Sequence, residues 1–491
     1  MVTLAIFASG ALLLASLPYW LPRSVVALRM WIFTRLNREA SIAIPGPLVG
    51  SDRFRQVYSH PAANGRSRGA ALSDLFWYWL SPGPEIHQEH LEPGERYDEI
   101  AATTRRILAI PRPDAEELAA RCVAQVLDEQ RVVTWRQVRL RDMMMPAWAD
   151  FYYEVVFGER CPPNARELIV ANADDVVTAL KCCGLRHMKK RDRLTRFLIG
   201  KLEAGDLPHV LPERLSTTEK ALYLQGTFFN TAVVQTSEAM AHLLLALAQH
   251  EDVQTRLAAN PHDTDYLDRV LSEAFRLYPL FGIAHRISSA DIAVGDRVMI
   301  PAGSVLTFNY PAYHQSGYHD PGSFDPDRWQ QVSAHDANHI PFGVTANRAC
   351  PARGLAPVTM KAAARETLRR FELSSSAAHT RSLPNRGPCL VAARPARLHP
   401  RRQRVLLFWM RTRDRWEDVW RSPVQLCLGT YMVRDARRLR LCQSYFEAHP
   451  DESPSREPRP TSAHDGICPV KTGRDGAEGD VELSPCVCRG A

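Results

Sequence analysis

No G-x-G-x-x-G run occurs in the 491 residues, so the chain has no glycine turn of the kind that seats a dinucleotide pyrophosphate on a helix N-terminus. A disulfide framework is missing too. The eleven cysteines are odd in number, irregularly spaced and include the adjacent Cys182 and Cys183, the pattern of a reduced, cytosolic chain. Cys486-Val487-Cys488 lacks a second ligand pair and makes a poor zinc site. The 61 basic and 54 acidic residues leave a formal charge of +7 with no dense basic block or interleaved aromatics. That pattern argues for no nucleic acid partner and suits a basic face for an acidic protein. No internal repeat is evident.

What is present begins with an apolar run. Residues 2–21 are nearly uncharged, with Leu4, Ile6, Phe7, Leu12, Leu13, Leu14, Leu17 and Trp20 among them, and approach the ~20 residues that cross a bilayer. Arg23, Arg29, Arg35 and Arg38 follow; positive charge on that side keeps the body in the cytoplasm. A cleaved signal peptide is the competing reading, but it lacks a charged leading region and a good small-residue cleavage site. The expected organisation is a transmembrane anchor over 1–22 and a basic linker with a proline hinge over 23–50. One domain over 51–395 follows, then an amphipathic extension over 396–447 and a disordered tail over 448–491. Helical patterns dominate at 113–128, 143–157, 166–182, 191–202 and 217–249, with strand-like runs at 292–301, 304–308 and 389–393. The apolar positions over 227–257 read as one long helix. Together they predict a mainly α fold with small β-sheets, an α+β arrangement preceded by one transmembrane helix.

The chemistry concentrates in Pro341-Phe342-Gly343-Val344-Thr345-Ala346-Asn347-Arg348-Ala349-Cys350-Pro351-Ala352-Arg353-Gly354. Good helix formers over 355–370 place Cys350 just before a helix N-terminus, where partial positive charge favours thiolate over thiol. Arg348 adds a full charge able to hold a carboxylate. Upstream, Glu273-Ala274-Phe275-Arg276 puts Glu273 and Arg276 on one helix face, and Phe324-Asp325-Pro326-Asp327-Arg328-Trp329 offers Arg328 as a third member. A glutamate held between two arginines satisfies its buried lone pairs better than a single pair does. Alone, each motif has a bland reading: an inert turn cysteine, or a solvated surface ion pair. Their order, after Ile44-Pro45-Gly46-Pro47 and before the cysteine loop, is specific.

Over about 44–395 the chain resembles the cytochrome P-450 haem-thiolate monooxygenases, and among them the membrane-anchored fungal biosynthetic members. The resemblance implies haem b (iron protoporphyrin IX) as cofactor, with Cys350 as axial iron ligand and Glu273, Arg276 and Arg328 as a structural triad behind the haem. Arg286, in Ala284-His285-Arg286, and Arg348 are the expected propionate partners, with Arg105 as a third contact. In the cysteine loop, Phe342 lies one residue too far from Cys350 and the family's two glycines read Ala346 and Ala352; altered loop geometry is expected. On the central helix the usual acid is missing; two registers leave Thr236 first and Thr231 second as proton-relaying alcohols. The substrate pocket is expected at 78–87, 180–187, Phe228, Phe229, Val233 and 280–283, an apolar lining for a hydrophobic small molecule such as a terpenoid or polyketide intermediate. The implied activity is monooxygenation of that molecule with electrons from an NADPH-dependent flavoprotein reductase. The implied place is the endoplasmic reticulum membrane, single-pass, with the catalytic domain cytoplasmic. A rearrangement or peroxide-using enzyme, or a non-catalytic membrane-tethered haem protein, are the alternatives.

Overall fold

The computed structural model describes residues 2–450 except 38–39, 133, 206, 281, 296–297, 334–335, 380–386 and 396–398; the expected tail over 448–491 therefore lies almost wholly outside the described residues. At the centre runs a long buried helix, Thr217–Gln249. Its start is fixed by a capping box, the Ser216 side chain accepting from the Glu219 N–H while the Glu219 carboxylate accepts from the Ser216 N–H. Its length and composition would cross a membrane, but burial within the body marks it as a core helix. It ends at Gln249, short of the expected end of the 227–257 run, because a new helix begins at Glu251.

Around it pack the helices Arg112–Glu129, Leu140–Phe157 and Ala356–Arg370. Leu140–Phe157 is buried on nearly every side, including Trp148, Phe151, Tyr152 and Tyr153, as expected of a helix enclosed by neighbours. It stops at Gly158, whose φ of +69° suits glycine. Among the described residues, three small sheets complete the body. In the first, Val305–Asn309 lies between Ser41–Ile44, parallel to it, and Ile283–Ile287, antiparallel. In the second, Pro388–Ala393 lies between Trp135–Arg139 and Phe371–Ser374; the third is the hairpin Ile292–Val294 with Val298–Ile300. The proline hinge thus follows directly on an edge strand, Ser41–Ile44, that the sequence pattern did not reveal.

Two long helices flank this body. The N-terminal one runs Val2–Asn37, through the arginines at 23, 29 and 35, rather than ending near residue 22. Pro400–Leu439 forms a single helix in the C-terminal extension, packed against the N-terminal one and against Ala71–Leu80.

Candidate functional site

Cys350 is held by its backbone: its N–H donates to the Phe342 carbonyl at 3.0 Å and its carbonyl accepts from the Arg353 N–H at 3.3 Å. The following helix starts at Ala356, beyond a turn over 351–355, so the helix end is farther from the sulfur than expected. Burial pushes the thiol up to about 11, and the Ala352 N–H and the Arg353 charge offset only part of that. Without a metal, desolvation of the charged form outweighs the favourable effect expected of the helix terminus. A metal cation that displaces the proton reverses the balance.

The extra loop residue is taken up in a small hairpin, with Val344 bridged to Asn347. Gly343 turns at φ +71°, where a Cβ would come within 3.1 Å of the Tyr58 hydroxyl, and Arg348 is a non-glycine residue at φ +50°. The Asn347 amide pins the hairpin by donating to the carbonyls of His60 (2.9 Å) and Ala63 (3.1 Å).

Glu273, Arg276 and Arg328 meet. Arg276 donates to both Glu273 oxygens, at 2.9 and 2.7 Å, and Arg328 Nε to Oε1 at 3.0 Å; Glu273 and Arg276 are both 0% exposed. Glu273 also accepts from the Asp325 N–H (2.9 Å) and Trp329 Nε1 (3.0 Å), two partners that spacing alone did not identify.

Of the expected carboxylate partners, two lie in one buried cluster. Arg348 donates to the carbonyls of Asn64 and Leu91, both at 2.7 Å, and stacks on Tyr97. Arg286 donates to the carbonyls of Tyr58 and Ala63 and stacks on Tyr58. Arg105 does not join them: it is exposed and lines a surface concavity of about 330 Å³ with Arg112, Pro351, Arg353 and Leu355. Its place at the end of Glu95–Ile107 turns it outward, which corrects the expectation of a third buried contact. The cluster instead contains residues no motif identified. Arg66 bonds the Glu89 carbonyl (2.6 Å) and the His285 carbonyl. His90 is buried with neither ring nitrogen hydrogen-bonded; burial, with His87, Arg66, His285 and Arg348 around it, holds it well below its ordinary pKa.

Within the central helix, Gln225–Ala232 is π-helical, a departure often tied to function. It aims Thr231 at His87, whose Nε2 contacts Thr231 Oγ1 and, at 3.0 Å, the Gly226 carbonyl. His87 Nδ1 accepts from the Glu89 N–H at 3.1 Å, and burial keeps the ring neutral. The proton is therefore on Nε2, where the Gly226 carbonyl and Thr231 Oγ1 are its two acceptors. Thr227 Oγ1 and Asn230 Nδ2 are buried without partners. Thr236 donates back to the Ala232 carbonyl at 2.7 Å and accepts from the Tyr152 hydroxyl at 3.0 Å. Burial, offset partly by Thr236 and reinforced by the Cys350 charge, pushes Tyr152 up to about 12. Glu238, the buried acid farther along this helix, is bound to Arg141 (3.0 Å) and Lys181 (3.5 Å).

Phe228, Phe229 and Val233 are fully buried. Tyr78 and Trp79 instead join Ala179 and Cys182 in a cluster closed by Met432, Val433 and Ala436 of the C-terminal helix, so part of the expected lining packs on that extension. Residue 281 lies outside the described residues, and neighbouring Ile283 is exposed.

Among the described residues no three His, Cys, Asp or Glu side chains group to hold a bare metal ion. One thiol without other protein ligands beside it, that of Cys350, suits a metal whose other ligands come from its own macrocycle, and the cationic, orphan-bearing cluster at Arg66, His90 and Arg348 suits that macrocycle's carboxylates. Fold and site together define a thiolate-ligated haem protein. Residues 166–399 match the family model described as Cytochrome P450. Rat cytochrome P450 3A9 is 32% identical over 156 residues, 28% of this chain and 31% of the rat protein; the chain thus spans about a third of the length of the curated relatives it matches. Among solved structures, a variant of cytochrome P450 OleT in complex with arachidonic acid has a TM-score of 0.59 at 14% identity, covering 73% of this chain and 90% of OleT. A 6-coordinated cytochrome P450 from Thermus thermophilus has a TM-score of 0.52 at 18% identity, covering 70% and 90%. Over residues 166–399 the chain matches the cytochrome P450 family, whose cofactor is haem bound through a cysteine thiolate.

Proposed function

We propose that the protein is a haem-thiolate monooxygenase that inserts one atom of O2 into a hydrophobic small molecule, a terpenoid or polyketide intermediate of secondary metabolism. The observation that carries this reading is the thiol of Cys350, held in its backbone turn, with the cationic cluster around Arg348 nearby in sequence. Haem b supplies O2 activation, which thiolate donation promotes. Cys350 is the iron ligand, and Arg66, His90, Arg286 and Arg348 receive the haem carboxylates, the arginines exchanging carbonyl partners for charge-assisted bonds. Thr236 Oγ1, which accepts from Tyr152 and donates to the Ala232 carbonyl, is the first alcohol of the proton relay, and Thr231, beside His87, is the second. Phe228, Phe229 and Val233 present apolar surface that excludes water from that helix face.

Electrons come from a separate NADPH-dependent flavoprotein reductase, consistent with the absent dinucleotide fingerprint. The concavity bearing Arg105, Arg112 and Arg353, next to the Cys350 turn, is the docking face for its acidic surface. The N-terminal helix, apolar over Phe7–Phe33, holds the protein to the endoplasmic reticulum membrane with the catalytic domain cytoplasmic. Oxygen consumption by the holoenzyme with reductase and NADPH tests the proposal: it should depend on substrate, with one product oxygen from labelled O2. Turnover with peroxide and no reductase would favour a peroxide-using enzyme, and no substrate-dependent consumption a non-catalytic haem protein.

A further inference from the structure

We propose that the C-terminal helix Pro400–Leu439 is a second membrane-contact element, which lies with the N-terminal helix in the headgroup layer of an anionic bilayer, its aromatic stripe turned inward. The proposal rests on the membrane association proposed above and replaces a single upright span as its mode.

The stripe comes from the sequence read at helical pitch. Val405, Trp409, Trp416, Trp420, Cys427 and Tyr431 fall within about a quarter turn of one another at 3.6 residues per turn, and all are exposed, Trp409 at 62%, Trp416 at 43% and Trp420 at 73%. The opposite face, with Met410, Gln425, Met432, Val433 and Ala436, is the one buried against the protein. Scattered exposed apolar residues need no explanation, but a continuous row about 40 Å long at 1.5 Å per residue does. Arg413 lies within the row, Arg402 precedes it and Arg434 and Arg438 follow it, and all four are exposed. Indole and phenol rings beside guanidinium groups match the acyl boundary and phosphate layer of an anionic membrane.

The N-terminal helix sets the orientation. Arg415 donates to the Tyr19 hydroxyl at 3.2 Å, and a Cβ on Gly429 would come within 3.1 Å of the Phe33 ring. The offset is the same at both contacts, so the helices run parallel, with Arg411, Arg413 and Arg415 level with the middle of the apolar run. Charged side chains at the bilayer centre are strongly disfavoured, so the pair as packed cannot stand upright through hydrocarbon. Lying flat, it gives the apolar N-terminal residues and the tryptophan row to the acyl boundary and leaves the arginines among phosphates.

Hydroxyl-radical footprinting of the full-length holoenzyme tests this, first alone and then on vesicles of phosphatidylcholine with or without phosphatidylserine, with flotation reporting capture. Oxidation of Trp409, Trp416 and Trp420 should fall severalfold on phosphatidylserine vesicles. The triple variant Trp409→Ser, Trp416→Ser, Trp420→Ser, altered only at exposed positions, should float less on them. Flotation with the three tryptophans as oxidised as in the free protein would overturn the proposal and leave membrane association standing. No flotation at all would overturn both. Concentration-dependent protection without lipid would mean that a second copy covers the stripe, which also overturns it.

Discussion

Glu273→Ala is the perturbation whose cost the structure defines best. The carboxylate sits at 0% exposure against an equally buried Arg276, so its removal leaves a buried guanidinium without its counter-charge, a change that costs about 3–5 kcal/mol. Trp329 Nε1 and the Asp325 N–H lose their acceptor as well, each a loss of about 1–3 kcal/mol where water cannot replace it. These losses overlap, because Arg276 keeps the Pro321 and Ser323 carbonyls, so the expected total is about 4–5 kcal/mol. That is a large share of the roughly 5–15 kcal/mol that stabilises a typical domain. Urea unfolding of the haem-free chain, followed by far-ultraviolet circular dichroism, measures the loss without any contribution from bound haem. The double variant Glu273→Leu, Arg276→Met should lose less than Glu273→Ala, because apolar packing replaces both charges. A loss below about 1 kcal/mol in the single variant, the value for an exposed pair, would refute the triad as a buried unit.

Acid sensitivity follows from two neutral histidines. Burial, with Arg66 beside His285 and Arg276 beside His339, pushes each down to about 3, whereas the unfolded residue titrates near 6.5. Above pH ~6.5 both states are neutral; below it the unfolded chain takes a proton that the folded one refuses, so stability falls by about 1.4 kcal/mol per pH unit for each histidine. His339→Asn should flatten the slope of unfolding free energy between about pH 6 and 4.5, and an unchanged slope would contradict the assignment. Tyr152→Phe removes the donor to Thr236 while keeping the ring, so it should raise oxygen consumption without product, and Thr236→Ala should do so more strongly. If only Thr231→Ala has that effect, the relay lies in the π-helical turn. Charge reversal at Arg105, Arg112 and Arg353 should raise the KM for the reductase several-fold at low salt, with little change at high salt where screening already weakens docking.

How much was legible depended on whether the signal was local. The cysteine run, the Glu273/Arg276 spacing and the apolar periodicities of 113–128, 143–157 and 217–249 are properties of consecutive residues, and the helices formed close to those bounds. Strands Ser41–Ile44, Trp135–Arg139 and Ile283–Ile287 escaped notice because each is short and exists through a partner far along the chain. The site divided in the same way. Arg105 was assigned by its position in a helix pattern, which carries no information about which face meets the cofactor. Arg66, His90 and Tyr152 carry no motif at all; they reach the site through long-range packing, and burial, with two unpaired ring nitrogens at His90, distinguishes them. For the thiol, sequence shows the nearby helix but not the desolvation that opposes it.

Thiolate ligation by Cys350 is the central claim, and the absorption spectrum of the reduced, carbon monoxide-bound protein, wild type beside Cys350→Ser, tests it most directly. The account predicts a Soret band at the long wavelength of a thiolate-ligated haem in the wild type and its loss in the variant. A correctly folded, haem-loaded wild type without that band, or a variant that keeps it, would contradict the account.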